Sequence, residues 1–552
     1  VAGQFGTLDS KAYFDPVGRS LGTILEGPTA KFIHSGGAKY NVRGKVERKY
    51  LPFFVGSLND FALNESRPFI RTEFDELDRP LAIYNPEHAA GNPSYKQFAY
   101  QVGETHSTDE NGHPTINRFD FLGRLVEVEN AKGYKTTYGY TLTDQLALII
   151  DAKNEFTEMV YDSLDRRICK LDPNLGKTTY SYNNLDLLTQ KNDYGWQASV
   201  TSCAQSGPAT PRTMTYQYSD VLNRITFQDS VDPQTAPVSY SYDAGTDGKG
   251  RVTGTTFEIG SKALQYDRFG NVSRTDYVID GQAGTVQEVY DVLGRLRRVV
   301  YPVVSGNTLT VDNEFDEAGN VKRAFNFTSG YSYANNVTYN ELNQITRMDF
   351  GNGTKTRMRY DVGGGSYRLQ DIITYKGAAI SDSVPLATAC TGTAIQCLGY
   401  SFDKVSNITQ IQDLKNPPPR TFQYNELNEL TQAVGPWGTQ SWLIDEIGNL
   451  TRKTTVNGGT TIENYTYHGS RKQILTQFGT KAYGFDVFGG LATRGNNEDL
   501  FWDARGELKR YKKGSNSAFY YYDENGERVR KAGNLAPQAR WYGRYLEKPQ
   551  TG

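Results

Sequence analysis

Apolar and polar residues alternate along this chain in short runs, not in helical stripes. Thr178-Thr179-Tyr180-Ser181-Tyr182, Asn464-Tyr465-Thr466-Tyr467 and Phe519-Tyr520-Tyr521-Tyr522 are rich in β-branched and aromatic residues, the types that suit a pleated, half-buried surface. Each run leads into a polar turn. The pattern predicts short strands joined by hairpins, an all-β chain without long helices.

The hairpins repeat. One unit reads Tyr or Phe, then Asp or Asn, two variable residues, a Gly/Asp/Asn, often Arg or Asn, and an apolar residue. Two clean copies are Phe119-Asp120-Phe121-Leu122-Gly123-Arg124-Leu125 and Tyr290-Asp291-Val292-Leu293-Gly294-Arg295-Leu296. Further copies include Tyr161-Asp162, Tyr266-Asp267 with Gly270, and Tyr522-Asp523 with Gly526. Looser ones begin at Tyr140, Tyr218, Tyr242, Tyr360 and Ile444. Starts at 119, 140, 161 and 182 are 21 apart, and those at 218, 242, 266 and 290 are 24 apart. Such variation suits hairpins with loops of changing length, whereas a helical heptad has a fixed register.

The motif has a local physical reason. Asp or Asn opens a type I turn, because its side chain bonds back to the backbone. Gly three residues later takes a positive φ at little cost. Where Gly is missing, Asp78, Asp144, Asp165, Asp186, Asn343 and Asn428 replace it, the types that best tolerate that conformation; Ser406 is the exception. The position is therefore conformational.

Composition sharpens this picture. The 552 residues include 38 Tyr and 55 Gly, which fits many strands and many turns. Lys plus Arg is 60 and Asp plus Glu is 62, so no bulk attraction to nucleic acid is expected. The basic run Arg505, Lys509, Arg510, Lys512 and Lys513 reads as a solvated strand. No apolar stretch is long enough to span a membrane as a helix. Val1–Leu8 lacks the basic start and apolar run of a signal peptide. Of four Cys, Cys390 and Cys397 flank a short loop and form a candidate disulfide in an oxidising medium. Spacing alone leaves their pairing open.

No catalytic, cofactor-binding or metal residues are predicted, and the chain is not expected to be an enzyme. His106 and His113 share a loop, but not at zinc-site spacing. His34, His88 and His468 are isolated. Most Asp are accounted for by turns. The sequons at Asn271, Asn407, Asn449 and Asn464 follow from the repeat itself. Trp196, Trp437, Trp442 and Trp541 are either ladder residues or platforms for sugar rings.

About twenty copies, from Phe14 to Tyr542, resemble the Rhs/YD-repeat family. Its members include polymorphic bacterial Rhs toxins, the B and C components of insecticidal toxin complexes, and the YD shell of teneurins. The stretch Asp499–Leu508, followed by Tyr520–Val529, is similar to the toxin-complex C-type and Rhs pattern. The resemblance implies tandem YD hairpins forming a spiralling, partly or wholly hollow β-sheet shell. That shell would encapsulate or help deliver a toxin or effector in bacterial competition or pathogenesis, secreted or at the cell surface. Its partners would be the cargo or a second shell component, with secretion-system proteins. The alternative is an extracellular adhesive scaffold that binds glycans or proteins. We expect an irregular cap or first repeats over 1–73 and the shell over 74–552, with insertions near 86–116, 194–214 and 361–400. Neither the C-terminal Rhs core nor a toxin domain is seen in the sequence.

Overall fold

The computed structural model describes residues 9–28, 31–63, 66–86, 94–207, 210–303, 306–378, 380–381, 383–390, 392–535, 538–543 and 547–549. His88, Gly91 and Pro93 of the 86–116 segment and Pro208 of the 194–214 segment lie outside them. The described residues form antiparallel strands and one short helix, Leu386–Ala389. Among them no helix is long and apolar enough to cross a membrane.

The hairpin is built the same way throughout. At Tyr161 the strand Phe156–Tyr161 pairs with Arg167–Asp172. The Asp162 amide donates to the Arg166 carbonyl at 2.9 Å, and the Asp165 amide to the Asp162 carbonyl at 3.1 Å. This is a type I turn closed by a left-handed residue. Gly123, Gly270, Gly294 and Gly526 occupy that last position with φ of 80, 89, 77 and 75°. Asp78, Asp144, Asp165, Asp186, Asn343 and Asn428 sit there with φ between 58 and 65°, and even Ser406 is left-handed at 76°. The pairing register steps by one residue at the aromatic: Val160 faces Cys169, whereas Tyr161 faces Arg167. The same step occurs at Tyr182, Tyr266, Tyr290, Tyr424 and Tyr522. At Tyr218 the motif is displaced by one: the turn acid is Asp220, not Ser219.

A second bond ties many of the repeats to the one before. The tyrosine hydroxyl donates to the carbonyl of the residue that closes the preceding motif. Tyr161 reaches Leu146, Tyr182 reaches Arg167, Tyr424 reaches Ile408 and Tyr522 reaches Leu508, each at 2.9 Å. Trp502 does the same through its indole N–H to Leu491, at 2.8 Å. The pattern specifies register between hairpins, where a one-residue slip would turn every side chain to the opposite face.

The strands form two compact units. One comprises residues 1–134, 312–441 and 455–460; the other 135–311, 442–454 and 461–552. In the first, the sheet Ser10–Phe14, Ser20–Glu26, Phe32–Ser35 and Phe53–Val55 precedes the long ribbon. Ile24, Tyr50, Phe53 and Val55 form its core. The segment 20–73 also holds a turn of the repeat type at Asn41. A second core, Ile373, Tyr375, Ala394 and Cys397, gathers around the short helix. In the other unit, Val238, Phe257, Ile279, Val286 and Val299 are buried with Val529 and Tyr542 from far along the chain. Gly284 makes room there: a Cβ would lie 2.4 Å from the Tyr542 ring.

Two disulfides are present, Cys390–Cys397 and Cys169–Cys203. The second tethers the irregular 194–211 segment to the strand Arg167–Asp172. Sequence spacing gave no signal for it, because its partners lie 34 residues apart.

The two bonds of the repeat should differ in cost. Tyr424→Phe removes one neutral hydrogen bond and should lower stability by about 1 kcal/mol. Asp291→Ala strands two backbone N–H groups and a guanidinium, and should cost about 2–3 kcal/mol. Urea unfolding midpoints of the two variants check this order; equal midpoints would contradict it.

Candidate functional site

The repeat turn is built around its carboxylate. Asp120 Oδ1 accepts from the Leu122 and Arg124 amides at 2.9 and 3.0 Å, and Oδ2 from Arg124 Nε at 2.7 Å. Asp162 with Arg166 and Asp291 with Arg295 repeat the arrangement. Burial works against ionisation of Asp120 and Asp291, but the amides and the arginine outweigh it and hold both carboxyls below their usual range. At Asp162 the bond to Arg166 is the largest cause of the same lowering. Asn271 replaces the arginine beside Asp267, and Asn407 and Asn449 replace it beside Asp403 and Asp445. Three of the four sequon asparagines are thus turn residues. Tyr266 bonds the Val252 carbonyl in the usual way. The Tyr290 hydroxyl lies 3.2 Å from Glu288 and the Tyr360 hydroxyl turns to the Met358 sulfur, and Phe119 has no hydroxyl to donate.

Successive turns alternate between two edges of the ribbon. The YD turns lie on one edge; the linking loops, such as 130–133 and 151–154, lie on the other. Within each unit, late YD turns meet early linking loops. In the first unit, Asn111 donates to Asp403 at 3.1 Å, and Lys132 lies 3.9 Å from Glu429. In the second, Lys153 pairs with Asp445. Arg471, 4 % exposed, donates to the Asn174 carbonyl at 2.7 Å. The Ala504 amide donates to Thr235 Oγ1 at 2.7 Å. Buried Lys262 bonds Asp523 and Glu524 at 2.5 and 2.9 Å. The partners are 261 to 297 residues apart in sequence. These contacts form a seam, and sequence reading missed it because no local signal marks a partner so distant.

The seam explains departures from the motif. Glu527 stands where Asp291 has Arg295, so Asp523 Oδ2 has no arginine in its own turn, and Lys262 supplies the cation instead. Burial disfavours the Lys262 charge, but Glu524 and Asp523 raise its pKa nonetheless. At Asn425 the opposing Glu429 accepts from the neutral amide at 2.7 Å. Asp503 and Glu507 have neither solution. Asp503 is 1 % exposed, and its Oδ2 has no hydrogen-bond partner. Burial, then the Asp503 charge, push the Glu507 carboxyl from 4.5 up to about 7. Glu507 therefore keeps its proton to a higher pH than an ordinary carboxyl.

The remaining candidates have structural partners. Lys509 pairs with Glu258, Arg510 lies over Phe501, and Lys512 and Lys513 approach Asp499 and Glu498. His106 meets Glu104, and His113 meets Asp109. His468 takes the turn-acid position, its Nδ1 accepting from the Ser470 and Arg471 amides at 3.1 Å. His34 is buried and stacked on Phe53, and burial lowers its pKa. Among the described residues no group of His, Cys, Asp and Glu is arranged to hold a metal ion. Trp196, Trp437, Trp442 and Trp541 are all half-buried.

Glu507 makes the seam pH-dependent in a definite sense. Its folded pKa is above its unfolded one, so its contribution is fully present below about pH 4.5 and is lost as pH rises to about 7. Glu507→Gln removes the ionisation. It should raise stability by about 1–2 kcal/mol at about pH 8 and little at about pH 5, after discounting for solvent screening. Urea unfolding at both pH values measures this, and an equal effect at both would refute the raised Glu507 carboxyl.

No protein-family model matches the chain, and no curated sequence does. Solved structures do match. A crystal structure of TcdB2-TccC3 superposes with a TM-score of 0.81 at 16% identity, covering 98% of this chain and 31% of that one. TcdB2-TccC3 without its hypervariable C-terminal region gives 0.81 at 16%, with 96% and 30% covered. The Photorhabdus luminescens Tc holotoxin pore gives 0.80 at 16%, again with 96% and 30% covered. The chain thus spans about three-tenths of the length of the chains it matches. Repeat turn, inter-repeat tyrosine bond and antiparallel ribbon together make this the Rhs/YD-repeat fold of the TcdB2-TccC3 toxin complexes.

Proposed function

We propose that this chain is a length of wall in a toxin-enclosing shell, exported by a bacterium and used in competition or pathogenesis. The observation that carries the reading is the match to the Tc complexes over nearly the whole chain. The seam supports it: YD turns meet linking loops through polar contacts in both units, as a continuous wall requires. We read the role as structural: Asp120, Asp162 and Asp291 hold turns, His106 and His113 meet carboxylates, and the cysteines form two disulfides. The partners are the enclosed toxin or effector, a second shell component, and the secretion proteins that export them.

An adhesive scaffold is the second reading. A cavity of about 320 Å³ in the second unit favours it, lined by Phe501, Phe519 and Tyr521 with Glu258, Lys509 and Arg510. Aromatic faces with a few polar groups suit a sugar ring.

Electron microscopy of the full gene product, paired with protease protection, tests the shell. We expect a hollow particle whose enclosed polypeptide resists protease until urea opens the wall. A solid particle, or cargo cleaved as fast as free polypeptide, overturns it. Saturable glycan binding lost in Phe519→Ala would favour the scaffold.

A further inference from the structure

Arginines of the second unit spend their guanidinium groups on the protein itself. Arg295 donates its Nε to the acid of its own turn, and Arg471 to the Asn174 carbonyl. Arg530 and Arg540 each leave Nε unpaired, but both meet Asp280 through their terminal nitrogens. Arg510 differs. Its Nε is buried without a hydrogen-bond partner, and among the described residues its guanidinium makes no hydrogen bond or ion pair. Its one contact of note is with the Phe501 ring, 3.8 Å from the centroid. Stacking alone does not leave a guanidinium idle: Arg212 lies over Phe488 at the same 3.8 Å and still donates to the Trp502 carbonyl at 3.3 Å. A permanent cation with five donors, held half-buried with none of them used, is a group waiting for an anion.

Its surroundings say which kind. Arg510 lies in the strand Leu508–Lys513, directly across from Phe501 on one side and Phe519 on the other. Cross-strand partners share a face, and Tyr521, two residues on from Phe519, shares it too. These four residues line the cavity of about 320 Å³ together with Glu258 and Lys509. Phe519 is 39 % exposed. The Tyr521 hydroxyl has no hydrogen-bond partner among the described residues, whereas that of Tyr522 is spent on the Leu508 carbonyl. Lys509 is committed to Glu258, so these two charges offset each other. Arg510 therefore leaves the lining with one uncompensated positive charge.

We propose that this cavity binds a uronic acid, a sugar ring carrying a carboxylate, with Arg510 as the carboxylate clamp. The guanidinium fork matches a planar carboxylate through two parallel bonds. A ring held in this way reaches Phe519, the aromatic directly across from Arg510, and stacks on it through its apolar face. The Tyr521 hydroxyl and the Glu258 carboxylate serve the ring hydroxyls. One net positive charge balances one carboxylate, while the second charge of a phosphate would meet Glu258 without a cation to offset it. The assignment rests on the sugar-binding reading of this cavity and is independent of whether the wall encloses a toxin.

Ligand-observed NMR titration of the purified full chain tests it, with methyl glucuronide and methyl galacturonide, their neutral parent glycosides, and acetate. We expect one of the uronides to bind at least about tenfold more tightly than its neutral parent and than acetate. Sodium chloride should weaken the uronide and leave the neutral sugar unchanged. Arg510→Gln should erase the difference between the two sugars, and Arg510→Lys, which keeps the charge but loses the fork, should retain only part of it. Phe519→Ala should weaken both sugars alike. Unfolding midpoints show whether each variant is folded. If that of Arg510→Gln falls, the uronamide, titrated against the wild-type chain, takes its place and should bind like the neutral sugar. A neutral sugar that binds as tightly as the uronide, and is lost in Phe519→Ala, overturns the carboxylate clamp and leaves the sugar-binding reading standing. Acetate that binds as tightly as the uronide reduces the cavity to a bare anion site and overturns the proposal. Uronide binding unchanged in a folded Arg510→Gln also overturns it. Failure of every sugar to bind overturns both the clamp and the sugar-binding reading.

Discussion

The bond from a motif tyrosine hydroxyl to the carbonyl closing the preceding motif is the contact on which the rest of the structure depends. A hairpin alone is marginal in water, because two strands bury little surface for the backbone order they require. The turn carboxylate fixes the shape of each hairpin but says nothing about its neighbour. The tyrosine bond does, since it is made only when the next hairpin lies in register. Where the aromatic is Phe the link is missing, and at Trp502 the indole N–H restores it. The step in register beside these residues follows from the extra left-handed residue in the turn. It recurs from hairpin to hairpin, so its twist accumulates in one sense along the ribbon.

Edge strands are usually a liability in sheet proteins, and along the ribbon successive hairpins are paired by their sequence neighbours. The exposed features are instead the rows of turns and loops. Along the seam Asp523 of a late turn finds its cation on the early strand Gly260–Tyr266, at Lys262. Arginine within the motif and lysine across the seam are thus alternative answers to one problem, the second oxygen of a half-buried carboxylate. Asn425 gives a third answer, a neutral amide. Asp503 has none of the three: its second oxygen stays without a partner and its charge helps push the Glu507 carboxyl up, in a turn whose next amide is already committed to Thr235.

Much of the fold was legible in the residues. Asp, Asn and Gly at the fourth motif position carry a conformational meaning that needs no partner, so even Asp78 or Asn428 could be read as left-handed. The alternation of aromatic and β-branched residues gave the strands. What was not legible depends on distant contacts. Nothing local says that Glu527 is tolerated because Lys262 arrives, or that Cys169 meets Cys203. The displaced motif at Tyr218 was misaligned because an inserted Ser219 leaves the aromatic in place while moving the acid by one. His468 hid its role for a different reason: a histidine ring can accept the two turn amides as a carboxylate does, but the motif does not anticipate it.

The same reasoning accounts for a fold kept at 16% identity. The repeat constrains the aromatic, the acid, the left-handed residue and little else. Strand positions need only be β-formers of suitable size, because most are half-buried and are covered by neighbouring side chains of the same sheet. Loops vary freely, as the change in repeat length shows. A long ribbon can therefore exchange most of its residues while each turn and each inter-repeat bond is preserved. The positions under further constraint are those at the seam, where partners must change together. Comparison of such chains should therefore find paired charges across the seam, not shared strand residues, as the signature of how the rows are stacked.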